Sequence, residues 1–176
     1  MDRKKLGEMM KVIYLIGFMG SGKTTIGKAL SEKLKVNVYD SDEEIIRQKG
    51  KSVEKIFEAV GEDGFRAFET EMLKSLPVVD SIITTGGGVI LRHVNCDWMK
   101  QNGTVIFLQA TPDEILKRLE GDQSRPLLLG DKKTKVPQIL QERMPLYLGT
   151  AEIIIETTDK SVDMIVQEIV QRLKIS

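Results

Sequence analysis

The chain has one cysteine, one histidine and one tryptophan in 176 residues, and each shortage removes a class of function. A lone Cys96 closes no intramolecular disulfide, so the chain is no disulfide-stapled scaffold and suits a reducing compartment. His93 stands without a Cys/His cluster at metal-ligand spacing, which leaves no basis for a structural zinc. Charge of neither sign is in excess: 26 basic side chains balance 26 acidic ones, and the basic ones are scattered. No overall field therefore draws nucleic acid or an anionic membrane to it. No window reaches the roughly 18 apolar residues of a membrane span. The charged start "MDRKKLGEMM" is not followed by the apolar stretch of a signal peptide. Together these absences predict a cytoplasmic, soluble protein with no nucleic-acid or membrane partner.

What is present is an alternation of short apolar runs and helical patterns. Residues 1–10 read as a loose lead-in, and 11–176 as one domain, long enough to bury a core without staples. Strands are expected at Lys11–Ile16, Val36–Tyr39, Ser81–Thr85, Thr104–Ala110 and Ile153–Glu156. Helices are expected at about Lys23–Lys35, Ser52–Val60, Glu62–Leu76, from Pro112, at about Pro137–Leu146, and at Ser161–Leu173. Strands without in–out polarity that alternate with helices predict an α/β fold, a five-stranded parallel sheet covered by helices on both faces. The turn-rich, charged stretch Glu120–Lys135 is the candidate for a closing segment.

The most specific signal is "GFMGSGKTT", which follows the strand "VIYLI" and opens a helix. Gly17, Gly22, Lys23 and Thr24 satisfy the P-loop spacing, with Gly20, Ser21 and Thr25 inside the same run. Glycines let consecutive N–H groups curl around an anion, and the helix N-terminus adds its positive dipole end. In such a loop the lysine reaches the β- and γ-phosphates, and the threonine hydroxyl ligates Mg²⁺. Nucleoside triphosphate binding follows.

The acceptor is written elsewhere. The third strand ends in "TTGGG" without a carboxylate, so Asp40 is the candidate to support the metal. Asp40 and Asp42, about 7 Å apart in extended chain, could divide the labour between metal and attacking hydroxyl. The same "DSDEE" also reads as an acidic helix start in which Ser41 and Glu44 form a capping box. Basic residues are mostly lysine, 18 against 8 arginines, so each retained arginine invites a bidentate role. Arg66 has Glu62 and Glu69 one turn away on either side, which a surface ion pair would also explain. Arg143 falls on an inward-turning face, where a guanidinium needs an anionic partner. Arg125 lies in the closing segment, and Gly86–Gly88 end a strand on the ligand side of the sheet.

Taken in order, "GFMGSGKTTIGKAL", "DSDEEI", "GEDGFRAFE", "TTGGGVI", "SRPLL" and "ERMPLY" resemble the shikimate kinases over nearly the whole chain. The resemblance implies a P-loop kinase fold with a lid at about 120–135 and a substrate-binding helical region at about 41–76. It implies transfer of the γ-phosphoryl group of ATP to the 3-hydroxyl of shikimate, a step towards chorismate and aromatic amino acids, by a monomer. Gly17 and Gly20 to Thr25 would then hold the ATP phosphates, with Thr24 and Asp40 at Mg²⁺. Lys23, Asp42 and Arg125 would be catalytic, with Asp42 also holding shikimate hydroxyls. Arg66 and Arg143 would clamp the shikimate carboxylate, Gly87 and Gly88 would touch the substrate, and Arg118 would lie near the adenine. The departure Ile46 falls where many members carry a glutamate. A kinase of another small acceptor (gluconate or a nucleoside monophosphate) and a P-loop switch without phosphoryl transfer are the competing readings.

Overall fold

The computed structural model describes residues 9–120 and 131–174. Strand β1 (Val12–Ile16) leads through the glycine loop into helix α1 (Lys23–Leu34), and β2 (Asn37–Asp40) runs directly into α2 (Ser41–Lys49). Helix α3 (Val53–Ser75) precedes β3 (Ser81–Thr84), and a short 3₁₀ turn (Val89–Leu91) leads to α4 (His93–Asn102). Then follow β4 (Gly103–Gln109), α5 (Pro112–Arg118), α6 (Lys132–Thr150), β5 (Ile153–Glu156) and α7 (Val162–Arg172). The five strands form one parallel sheet in the order β2-β3-β1-β4-β5.

The unbroken apolar runs are explained by burial on both faces. Along β1, Val12, Tyr14 and Ile16 enter one core with Met72, Leu73, Met99 and Tyr147 from α3, α4 and α6. The intervening Ile13 and Leu15 enter the other, with Ile26 and Leu30 of α1 and Ile165, Val166 and Ile169 of α7. Strand β4 divides in the same way, Val105 and Phe107 against Ile106 and Leu108. Side chains alternate across a strand, so a run that looks uniform in sequence still feeds two separate cores. A third cluster of Phe18, Ala110, Ile115, Leu119, Val136 and Leu140 lies under the glycine loop.

Four local expectations change. Lys11 forms only an isolated bridge to Val79, so β1 starts at Val12. Helix α2 is capped by Asp40, whose side chain accepts from the N–H groups of Asp42 and Glu43; Ser41 is already inside the helix, so it caps nothing. Helix α6 begins at Lys132 instead of Pro137, because the Asp131 side chain accepts from Thr134 N–H and starts the helix one turn earlier. It also continues through Pro145 to Thr150. Residues 132–135 of the expected lid are therefore helical. The two expected helices of the 52–76 region share one element, broken at Gly61 (φ 70°, ψ −179°). No helix among the described residues is long and apolar enough to cross a membrane.

Gly27 shows how closely α1 sits on the sheet: a Cβ there would lie 2.4 Å from Thr84 Cγ2. Alanine normally gains about 1 kcal/mol over glycine in a helix interior. Here Gly27→Ala should instead lower unfolding stability by roughly 1–3 kcal/mol, because overpacking outweighs propensity. Urea denaturation of the two proteins checks the sign; equal or higher stability of the variant would contradict this packing.

Candidate active site

The site lies along the carboxyl edge of the sheet, where every parallel strand delivers its following loop. After β1 the chain wraps through Gly17–Gly22, with Gly20 at φ 78° and Gly22 at φ 95°, left-handed values that a side chain would strain. Lys23 opens α1 and turns its Nζ back onto the carbonyls of Gly17 and Phe18, at 2.8 and 2.9 Å. Ser21 is buried, and Thr25 is exposed on the first turn of α1.

Asp40, at the end of β2, uses both carboxylate oxygens. One caps α2, and the other accepts from the hydroxyls of Thr24 (2.9 Å) and Thr84 (2.8 Å). Thr24 Oγ and the Asp40 carboxylate thus lie side by side at the opening of α1. They are hard oxygen donors of the kind Mg²⁺ takes, one or two from protein with the remainder from phosphate and water. No cluster of three or more His, Cys, Asp or Glu side chains suited to an all-protein metal cage exists among the described residues.

Two adjoining cavities open on this edge. The first, about 320 Å³, is lined by Gly20, Gly22, Lys23, Thr24, Thr25 and Asp40, together with Glu43 and Ile46 of α2. The second, about 190 Å³, is walled by Val53, Phe57 and Phe65 and holds Arg66, Glu69, Gly88 and Arg143. Met19, Asp42, Gly86 and Gly87 line both. Asp42 therefore stands at the boundary between the cavity at the glycine loop and a smaller, partly apolar one.

The second cavity is organised by buried charge. Arg66 and Glu69 are 6% and 2% exposed, so their pairing is internal and the surface ion pair considered from spacing is not what forms. The Arg66 fork donates to Glu69 and, at 3.2 Å, to Glu62, while its Nε is buried with no acceptor in the described structure. Burial pushes the Glu69 carboxyl up to about 7, against the pull of Arg66, and Asp42 nearby pushes it in the same direction. Burial opposes the charge on Arg66, but the two glutamates outweigh it and raise its proton affinity.

Two of the three glycines, Gly86 and Gly88, face this crowding, while Gly87 packs against the backbone of the glycine loop at Met19. A Cβ on Gly86 would come within 2.7 Å of Glu69 Oε1 and 2.8 Å of Asp42 Oδ1, and one on Gly88 within 2.4 Å of Arg66 Nη1. The Gly87 carbonyl accepts from Arg143 Nη1 (3.3 Å) and from the Tyr147 hydroxyl (2.6 Å). Tyr147 in turn stacks on Phe107, with ring centroids 4.9 Å apart. Arg143 and Tyr147, four residues apart on α6, share the face that meets this loop.

Arg118 lies behind the glycine loop, reaching Ser21 O at 3.3 Å and Thr157 O at 2.9 Å. Arg125 lies outside the described residues, as do 121–130 of the expected lid. Sequence reasoning missed Glu69 as a buried group, Tyr147, Thr84 and the Phe57–Phe65 wall. Tyr147 was within reach, since a residue four places beyond an inward arginine shares its face. The burial of Glu69 had no local signal.

A family model described as shikimate kinase matches residues 19–174. A shikimate kinase of Bacillus cereus is 45% identical over 168 residues, covering 94% of this chain and all of that one. Among solved structures, the shikimate kinase from Acinetobacter baumannii in complex with shikimate superposes with a TM-score of 0.92 at 38% identity, covering 97% of this chain and 96% of that one. The shikimate kinase from Aquifex aeolicus gives 0.78 at 36% identity, covering 93% and 96%. With its P-loop cavity and its arginine-lined neighbour meeting at Asp42, and with this agreement over nearly its whole length, the chain belongs to the shikimate kinase family.

Proposed function

We propose that the two cavities divide the reaction of the family, transfer of the γ-phosphoryl group of ATP to the 3-hydroxyl of shikimate, into a donor and an acceptor side. The observation that carries this division is Asp42, which lines both cavities. On the donor side, Gly17, Gly20, Ser21, Gly22 and Thr25 surround the phosphates, and Lys23 follows charge onto the β,γ-bridging oxygen. Thr24 and Asp40 would hold Mg²⁺, which when bound neutralises the β- and γ-phosphate oxygens.

On the acceptor side, Arg66 and Arg143 pair with the shikimate carboxylate. The Arg66 Nε, which has no acceptor in the described structure, supplies a donor directed to an anion. Phe57 and Phe65 cover the apolar face of the ring, and Gly87 and Gly88 bring backbone close to it. Asp42 orients the 3-hydroxyl and accepts its proton as the oxygen bonds to the γ-phosphorus. The bond from that phosphorus to the bridging oxygen breaks, and ADP leaves. In-line transfer of this kind depends on positioning and charge, which these residues provide. Residues 41–76 form most of the acceptor wall, both half-sites come from one chain, and a monomer in the cytoplasm suffices.

ADP release measured with ATP and Mg²⁺ should accelerate with shikimate and stay at background with gluconate or nucleoside monophosphates. Acceleration by one of the latter alone would reassign the acceptor. Asp42→Asn should reduce turnover by at least about 10²-fold while leaving ADP affinity within roughly twofold, the pattern for loss of a group that serves the acceptor and not the nucleotide. Turnover near wild type would remove Asp42 from the mechanism.

A third expectation concerns Glu69. Its folded-state affinity for a proton is raised from 4.5 to about 7, so its contribution to stability is complete below the unfolded value and is lost as pH climbs through 7. Unfolding free energy of the ligand-free protein should fall between pH 5 and 7.5, and Glu69→Gln should flatten that slope. Parallel pH profiles for the two proteins in urea would show that Glu69 does not titrate in this interval.

A further inference from the structure

The loop between β5 and α7 is anchored more firmly than its exposed neighbourhood requires. Thr157 is fully buried. Its N–H and its hydroxyl both donate to Gln109 O, at 2.8 and 3.0 Å, which pins it to the last residue of β4. The same hydroxyl accepts from Arg118 Nη1 at 3.2 Å, and its carbonyl accepts from Arg118 Nη2 at 2.9 Å. Glu114 takes the remaining Nε–H at 2.8 Å. With the guanidinium plane fixed in this way, Nη1 also faces Ser21 O at 3.3 Å and Gly20 O at 3.5 Å. Next door, the Thr158 hydroxyl accepts from Thr111 N–H at 3.1 Å, so the loop is tied to the start of α5 as well as its end.

These contacts matter because an anion-binding loop must direct N–H groups inward, and its carbonyls then point outward. A fixed cation behind the carbonyls of Gly20 and Ser21 favours that orientation. Those carbonyls belong to the stretch bounded by the left-handed residues Gly20 and Gly22. We propose that Thr157 is a positioning residue for nucleotide binding, holding the phosphate-binding loop in its anion-ready shape through Arg118. The inference rests on reading that loop as the ATP site, and it requires Thr157 itself to touch no substrate.

The test is a titration of the full chain with ADP and Mg²⁺ at 25 °C, without shikimate, for wild type, Thr157→Val, Thr157→Ser, Arg118→Lys, Arg118→Gln and the Thr157→Val/Arg118→Gln double variant. Loss of one hydrogen bond to a charged group, only part of which is transmitted to the loop, predicts roughly five- to tenfold weaker ADP binding in Thr157→Val. Thr157→Ser, which keeps the hydroxyl, should return to within about twofold, and KM for shikimate should not move. The coupling is the decisive readout: in the Arg118→Gln background Thr157→Val should have no further effect. Undiminished loss in that background would overturn the route through Arg118. A lower melting temperature with unchanged ADP affinity would make Thr157 merely structural and overturn the proposal. Should Thr157→Val fail to fold, Arg118→Lys decides: its ammonium cannot bridge the same acceptors, and wild-type ADP affinity would refute the idea. The titration needs no acceptor, so its result stands whether or not shikimate is phosphorylated.

Discussion

The site depends on one carboxylate, that of Asp40. Its two oxygens make four hydrogen bonds, to the hydroxyls of Thr24 and Thr84 and to the N–H groups of Asp42 and Glu43. Those partners belong to three elements: the first turn of α1, the end of β3 and the first turn of α2. The same contact that starts α2 therefore places Asp42 between the two cavities and aligns Thr24 beside a metal-competent oxygen. Charge-assisted hydrogen bonds of this kind are stronger than neutral ones, and a half-buried setting screens them less than open water would.

The acceptor side follows a different rule, crowding around buried charge. Arg66, Glu69, Asp42 and Arg143 gather beside the Gly86–Gly88 run, where carboxylate atoms occupy the space a side chain on Gly86 would need and guanidinium atoms the space at Gly88. Burying Glu69 costs enough that its carboxyl holds a proton near neutrality even with Arg66 against it. The arrangement is expensive for a stable core and appropriate for a pocket that takes a small anion.

Both halves rest on the carboxyl edge of one five-stranded parallel sheet. Alternate residues of β1 and β4 feed separate cores, and neither core contains a member of the site except Phe65 and Tyr147. Tyr147 links the two regimes: its ring packs on Phe107 in the core while its hydroxyl holds Gly87 at the pocket rim. Packing and chemistry are thus coupled through α6, on which Arg143 lies one turn earlier.

The sequence by itself determined the layered fold and the place of the P-loop in it. Strand–helix alternation and the P-loop spacing are local patterns, and Gly17–Thr25 does its work within one continuous turn. It also supplied the ordered set of short motifs by which the family can be recognised. It left Arg66 between a surface pair and a ligand clamp, and it offered Ser41 as a cap for α2. Spacing along a helix states which residues are neighbours and says nothing of whether water reaches them. Only the tertiary structure decided that Glu69 is buried, that Asp40 is the cap of α2 while holding Thr84, and that Arg118 backs the phosphate loop beside Thr157. Each of those contacts joins residues from different elements or depends on what covers them, and burial and long-range hydrogen bonding exist only once the chain has closed on itself.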